Sequence, residues 1–264
     1  MSLTLVQDFD ELQKHRDAIA GLFGAAFGRS LDVAEWEWLF GENPNGPALV
    51  ALWHKDNRLT GHTALVPFTF TDGTARIRAY RSGTTMIDPD CAVPGLMALL
   101  GTQLQSRVAD EGAVVFGFPN KASWLGFKRF LHWTIVEGSL VDVHGETILA
   151  DPTSYVTAHR PGEFRFDNES VEQLAWRLSR PKVRYSSRAG LAWSDYQGVQ
   201  QLLYLSESGL RYINPTNTYR VYMSSDEPAL GTDGGKRYRF GYWRPKQHAA
   251  LEFARPELLW SDVF

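Results

Sequence analysis

Between Thr84 and Trp133 the chain switches twice between extended and helical patterning, and that order restricts the fold more than any other feature. Thr84–Ile87 is a short β-rich run that stops at Asp88-Pro89-Asp90, where proline fixes φ and removes a donor. Gly95 then precedes an amphipathic segment with Leu96, Leu99, Leu100, Leu104 and Val108 near helical spacing. Ala113–Phe118 reads as a buried strand, Pro119-Asn120 breaks it, and Ser123–Phe130 carries a second helical pattern. Strand, sharp turn, helix, strand, helix is an α/β order. A helix opened by a glycine leaves several main-chain N–H groups unpaired, and these suit a phosphate.

The flanks extend the same class. Asp10–Phe27 places Leu12, Ile19, Leu22, Phe23 and Phe27 close to one helical face, and Asp32–Phe40 reads as a short helix capped by Asp32. After the turn signal Asn43-Pro44-Asn45-Gly46-Pro47, strands are expected at Ala48–Trp53, Gly61–Phe70 and Ala75–Ile87, joined by hairpins at Asp56-Asn57 and Asp72-Gly73. Beyond Thr134, Ile135–Leu149 reads as one or two strands, Asp151–Gly162 as a linker and Val171–Leu178 as a helix ending at Arg180-Pro181. Strand candidates follow at Leu191–Tyr196, Val199–Leu205, Tyr219–Met223 and Tyr238–Trp243.

Charge narrows the function classes. The net charge is −3 over 264 residues, so the chain as a whole has no pull toward nucleic acid or an acidic membrane surface. No run approaches the ~18 apolar residues of a membrane span. The N-terminus carries acids early, without the apolar core of a signal peptide. Cys91 is the single cysteine, which excludes an internal disulfide and fits a reducing cytoplasm. The reading is of a cytoplasmic protein with no nucleic-acid or membrane partner. No metal set is assigned.

The strand-end Pro89, Gly95 six residues later, and the order of elements resemble the acyl-CoA-binding half of the GNAT N-acyltransferase superfamily. Two motif positions differ: Ala92 stands where Arg or Gln is usual, and Met97 where a small residue is usual. Main-chain donors survive both changes, because an N–H group does not depend on its side chain. The resemblance implies a mixed α/β (α+β) fold with a mixed central sheet and flanking helices. It also implies acetyl-CoA or another acyl-CoA as co-substrate and a small-molecule amine as acceptor. The implied donor contacts are Thr85, Met86 and Ile87 along the strand, Gly95, Leu96 and Met97 at the helix start, and Asn120, Ser123 and Phe127 beyond the second strand. Residues 1–150 would form the acyl-CoA-binding core and 151–264 a second, degenerate GNAT-like half on the acceptor side.

Acyl transfer to an amine needs a neutral amine, a donor for the oxyanion, and a proton or hydrogen bond for the leaving thiolate. Phe127 or Lys128 falls where the family places a tyrosine acid, and neither replaces a phenol. For the base, His132 after the last core helix and His62 on the Gly61–Phe70 strand are the histidines near the core; His132 is preferred. Asn120 is the other catalytic candidate, with a helix cap or turn as its alternative role. Tyr80, Ser82 and Thr84 alternate onto one strand face and are expected to meet the acceptor. Glu37 and Asp88 are carboxylates for which solvated or capping roles are favoured.

The basic run Arg177, Arg180, Lys182, Arg184, Arg188 contains no acid. It suits either a solvated face or a diphosphate-bearing acceptor held by Arg177 and Arg184. Trp38-Leu39-Phe40 before Asn43-Pro44 is echoed by Trp176-Arg177-Leu178 before Arg180-Pro181. That echo, Gly117-Phe118-Pro119-Asn120 and the closing Trp260-Ser261-Asp262-Val263-Phe264 resemble tandem-GNAT sugar N-acyltransferases of polysaccharide assembly, some of which acylate a nucleotide-linked aminosugar. Two alternatives stay open: a non-catalytic ligand-binding protein on the same scaffold, and a transferase taking aminoacyl groups from transfer RNA.

Overall fold

The computed structural model describes residues 1–91, 93–156, 162–196, 198–224, 236–254 and 256. Ala92, part of the linker expected at Asp151–Gly162, and the closing Trp260–Phe264 motif lie outside the described residues. The chain begins with β1 (Ser2–Val6), α1 (Phe9–Gln13), α2 (Arg16–Phe27) and α3 (Val33–Trp36). Three long strands follow, β2 (Leu49–Lys55), β3 (Arg58–Thr71) and β4 (Arg76–Ile87). Then come α4 (Leu96–Asp110), β5 (Val114–Gly117), α5 (Trp124–Phe130), β6 (Thr134–Val136), β7 (Gly138–His144) and α6 (Gly145–Ala150). The remainder holds β8 (Glu163–Phe166), α7 (Val171–Leu178), β9 (Tyr185–Arg188), β10 (Leu191–Tyr196), β11 (Val199–Leu205), β12 (Thr218–Ser224), β13 (Lys236–Arg237), β14 (Phe240–Trp243) and β15 (Glu252–Phe253).

Local chemistry explains most of the boundaries. Asp32 caps α3 by accepting from Glu35 N at 3.0 Å, and Ser170 caps α7 by accepting from Gln173 N. The single helix expected over Asp10–Phe27 breaks between α1 and α2, where His15 stands before Arg16 with no side-chain cap. Ile135–Leu149 is only partly extended, because α6 takes its last residues. The strand expected at Tyr238–Trp243 is β14 alone, preceded by the two-residue β13.

The strands form two mixed sheets. The larger runs β1-β2-β3-β4-β5-β14-β6, with β8 paired to β3 and β15 to β8; the smaller runs β13-β7-β12-β11-β10-β9. Both sheets take strands from either side of residue 150: β14 inserts between β5 and β6, and β7 pairs antiparallel with β12. One face of the larger sheet packs on α4 and α5 through Leu96, Leu100, Leu104, Val108 and Phe127. The opposite face packs on α1, α2 and α7 through Leu12, Ile19, Leu22, Phe68 and Trp176.

Trp38 and Trp176, the echoed tryptophans, meet directly. Their rings stack at 5.0 Å and 16°. Each indole donates to the other's carbonyl at 2.8 Å. Buried Gln173 extends this joint: its amide exchanges hydrogen bonds with Thr69 N and O at 2.7 and 3.0 Å, as a neighbouring strand would.

Candidate functional site

The site begins where two strands separate. β4 and β5 run parallel and pair at Ala79, Tyr80 and Arg81 with Val114, Val115 and Phe116. Beyond Arg81, β4 stays paired to β3 as far as Ile87, whereas β5 keeps β14 on its other side. Among the described residues, the β4 edge facing β5 therefore has no strand partner from Ser82 onward.

A bulge lies along that edge. Ala64 pairs with Gly83 but His62 pairs with Met86, so Thr84 and Thr85 oppose the single residue Thr63. Thr84 holds a left-handed φ of 47°, a conformation that costs a β-branched residue and needs support. His62 supplies it: Nδ1 lies 2.7 Å from the Thr84 carbonyl oxygen and donates to it. Nε2 is then the unprotonated nitrogen, buried and without a partner among the described residues. Burial pushes this imidazole down to about 4, so it is neutral at neutral pH. Thr63 and Thr85 join their hydroxyls at 2.8 Å on the other face.

The bulge corrects the expected alternation of Tyr80, Ser82 and Thr84. The extra residue shifts the strand by one position, so Ser82 and Thr85 line the cleft and Thr84 does not. Tyr80 does not reach the cleft either. It is fully buried, and its hydroxyl donates to Glu111 Oε2 at 2.6 Å beyond the C-terminal end of α4. Burial and that carboxylate raise its pKa, so it stays a phenol.

The turn after β4 has the shape expected for an anion. Asp88 N donates to Thr60 O at 2.9 Å, a 3₁₀ turn covers Pro89–Cys91, and Gly95 takes φ 78° as the residue before α4. The first i→i−4 bond of α4 is Leu99 N to Gly95 O, at 2.9 Å, and Leu96 N turns back to Val93 O. The Met97 and Ala98 N–H groups precede the ladder and have no partner among the described residues. Asp88 is structural here: its carboxylate accepts from Asp90 N at 2.9 Å and from Arg58 at 2.7 Å. The same guanidinium reaches Cys91 Sγ at 3.0 Å.

Between the parting strands and the two helices lies an internal space of about 20 Å³, lined among others by Ser82, Thr85, Met97, Gln105, Phe127 and Trp133. That is close to the room one water needs. Two glycines set how closely α4 and α5 approach. A Cβ at Gly126 would stand 2.4 Å from Met97 Cε, and one at Gly101 would stand 2.6 Å from Leu131 Cδ1. Met97 thus fills the gap between the helix starts.

The remaining expected site residues fall as follows. Thr85 reaches the cavity, while Met86 is buried on the far face and Ile87 packs toward α4. Asn120 is exposed and acts as a turn cap: its Oδ1 accepts from Ala122 N, Ser123 N and Ser123 Oγ at 2.9, 3.0 and 3.1 Å. Phe127 lines the cavity and meets Trp133 edge-on, with ring centroids 4.6 Å apart. His132 is exposed at a left-handed φ of 55°, and the cavity is lined by its neighbours Leu131 and Trp133 instead. Successive side chains diverge at such a turn, so the expected base is turned away from the cleft.

The basic run is also corrected. Arg177 is fully buried, donating to the Tyr185 hydroxyl at 3.1 Å and lying over Trp38 and Tyr185. Arg180 donates to Glu35 Oε1 through two nitrogens at 2.9 and 3.1 Å, and Lys182 pairs with Asp32. Arg188 lies over Tyr212, and Arg184 is exposed. The missing acids are distant in sequence: Asp32 caps α3 and Glu35 lies in its first turn. Glu37 is exposed.

Sequence reasoning missed Thr63, Gln105 and Trp133 as cleft residues. For Trp133 no local signal exists, because its direction depends on the left-handed residue before it. Gly101 and Gly126, glycines inside helical patterns, were the available hint of a close approach.

No protein-family profile matches the chain, and no curated protein matches it. Solved structures do. A GCN5-related N-acetyltransferase from Kribbella flavida superposes with a TM-score of 0.61 at 12% identity, over 91% of this chain and 70% of that one. The chain has the GNAT fold. Eis1 from Mycobacterium abscessus matches at a TM-score of 0.59 and 13% identity, over 95% of this chain and 75% of its own. A GCN5-related N-acetyltransferase from Anabaena variabilis matches at 0.53 and 9%, over 91% and 72%. At these identities the likeness concerns the GNAT fold, not the reaction.

Proposed function

We propose that the protein is an acyl-CoA-dependent N-acyltransferase acting on a small-molecule amine. The observation that carries this reading is the parting of β4 and β5 above the open start of α4. The donor's pyrophosphate fits the Met97 and Ala98 N–H groups, and its arm fits the unpaired β4 edge from Ser82 to Ile87. The unpaired edge offers main-chain N–H groups to a developing oxyanion. In the transfer, the amine nitrogen bonds the acyl carbon and the carbon–sulfur bond breaks. The electron pair goes to sulfur, and the proton lost by nitrogen is the one the thiol gains.

The acceptor is proposed as an amine with no diphosphate, because Arg177, Arg180 and Lys182 are committed to partners within the chain. That leaves a nucleotide-linked aminosugar without the expected pair, since Arg177 is buried and Arg184 alone of the two is exposed. The tandem reading is likewise a proposal, supported by the reciprocal Trp38–Trp176 bonds and by the exchange of strands between the sheets.

Calorimetry with CoA and acetyl-CoA tests the donor site. Gly95→Glu should abolish binding, whereas Gly95→Asn should keep most of it, since Asn tolerates the left-handed conformation better. Unchanged CoA affinity in the Glu variant would place the site elsewhere. A second reading, a non-catalytic ligand-binding protein, is favoured by one observation: Met97 against Gly126 leaves a cleft of only about 20 Å³. Binding of acetyl-CoA without acetyl release to any of a panel of amines or to water would favour it.

A further inference from the structure

We infer that the indole N–H of Trp133 is the hydrogen-bond donor for the sulfur of the acyl donor, an inference that rests on the donor site proposed above. Trp133 is 4% exposed, and its Nε1 is buried with no partner among the described residues. Trp36 and Trp53 also carry unpartnered buried Nε1 atoms, but Trp133 is the one of the three that lines the cavity at the strand parting.

A buried N–H left unpaired is costly, so such a group either holds a water or waits for a ligand. The cavity that Trp133 lines, about 20 Å³, takes about one water, which an acceptor atom of a ligand would displace. Ring orientation agrees with this. The benzenoid edge packs on the adjacent strands, with Cζ3 and Cε3 at 3.5 and 2.9 Å from where Cβ atoms of Gly117 and Gly241 would stand. The pyrrole edge bearing Nε1 is by covalent geometry the opposite one.

Sulfur, rather than the acyl oxygen, is the acceptor assigned. The acyl oxygen has main-chain donors within reach along the unpaired β4 edge, while Trp133 stands across the cleft beside α5 and β5. Phe127 and Leu131, its neighbours there, offer no side-chain donor. An indole N–H does not ionise near neutral pH, so it stabilises a departing thiolate by hydrogen bonding without protonating it. The sulfur gains its proton from the nitrogen, as in the balance given above.

The test compares CoA with desulfo-CoA, in which hydrogen replaces the thiol. With ¹⁵N-labelled tryptophan the protein should show nine indole resonances. The one absent from Trp133→Phe should shift with CoA at pH 9, where the thiol ionises, and stay in place with desulfo-CoA. Trp133→Phe keeps an aromatic ring against Phe127. It should bind CoA about tenfold more weakly at that pH, the scale of one hydrogen bond to a charged group, with desulfo-CoA affinity unchanged. Should the variant fold poorly, the Trp133 resonance is assigned in the wild type by nuclear Overhauser contacts to the Phe127 ring, 4.6 Å away between centroids, and its sulfur-dependent shift decides alone. Equal shifts with both ligands, or equal losses of affinity, would overturn the assignment and leave the donor site standing. Binding of neither ligand to the wild type would overturn both.

Discussion

The turn before α4 and the stretch 177–188 both gather groups that suit an anion, yet the first leaves its donors available while the second commits Arg177, Arg180 and Lys182 within the chain. At the turn, the donors are main-chain N–H groups of Met97 and Ala98, whose freedom follows from helix geometry itself. In 177–188 the donors are guanidinium and ammonium groups on long side chains: Arg177 reaches Tyr185 within the stretch, and Arg180 and Lys182 reach Glu35 and Asp32 far along the chain. A backbone site is fixed by its own few residues, and a side-chain site by whatever else the fold brings near. The first kind anchors the proposed chemistry. The second binds α3 and α7 to each other, beside the paired Trp38 and Trp176.

The largest effect expected from breaking this division is on folding. A chain ending at residue 150 keeps the turn, α4 and β5, but loses β14 from between β5 and β6, β8 from the end of β3, and α7 from the far face. It also leaves β7 without β12. Such an edge-exposed fragment should show no cooperative thermal transition and poor dispersion of amide resonances. A folded fragment that binds CoA would show that the turn carries the site without the second half.

Next in size is Arg177. Removing a fully buried guanidinium leaves the Tyr185 hydroxyl and the faces of Trp38 and Tyr185 unfilled. Arg177→Ala should lower stability by about 3 kcal/mol, measured by denaturant unfolding, while CoA affinity of the folded fraction stays unchanged. Arg184→Ala should leave both unchanged. A loss of donor or acceptor binding in Arg184→Ala, with Arg177→Ala well folded, would restore an anion site in the second half.

His62 sharpens the cleft side through pH. Its folded pKa of about 4 lies below the ordinary 6.5 because burial disfavours the charged ring. As pH falls, the unfolded chain takes up this proton first, so stability present above 6.5 is lost between about 6.5 and 4. The full loss is about 3 kcal/mol. His62→Phe should be less stable at neutral pH, because the Thr84 carbonyl loses its donor, but should lack this acid-side slope. Equal slopes in the two proteins would mean that the imidazole is not held neutral beneath the bulge.

What the sequence disclosed follows the same division between local and distant causes. The α4 start at Gly95, the break at Pro119-Asn120 and α7 at Val171–Leu178 were legible because glycine, proline and Asn or Ser caps act within a few residues. The Thr84 bulge was not, since an extra residue in one strand is visible only against its partner. The insertion of β14 beside β5 was not, because strand order is set by packing across more than a hundred residues. The pairing of Arg180 was not legible for the same reason: its acid, Glu35, lies on another helix.

The smallest effect is expected at His132, and its smallness is informative. The residue is exposed at φ 55°, where an L side chain is strained by roughly 1 kcal/mol and glycine is not. Glycine also adds freedom to the unfolded chain, offsetting part of that gain. His132→Gly should therefore raise stability by only a few tenths of a kcal/mol, with CoA affinity unchanged. A general base in the same position would behave otherwise, since such groups typically contribute ~10²–10⁴-fold to rate. On any amine the wild type acetylates, His132→Gly should keep its rate and pH profile. A loss of rate near neutral pH that recovers as the free amine becomes abundant would instead bring His132 into the cleft during turnover, and the left-handed turn would then have to rearrange when the donor binds.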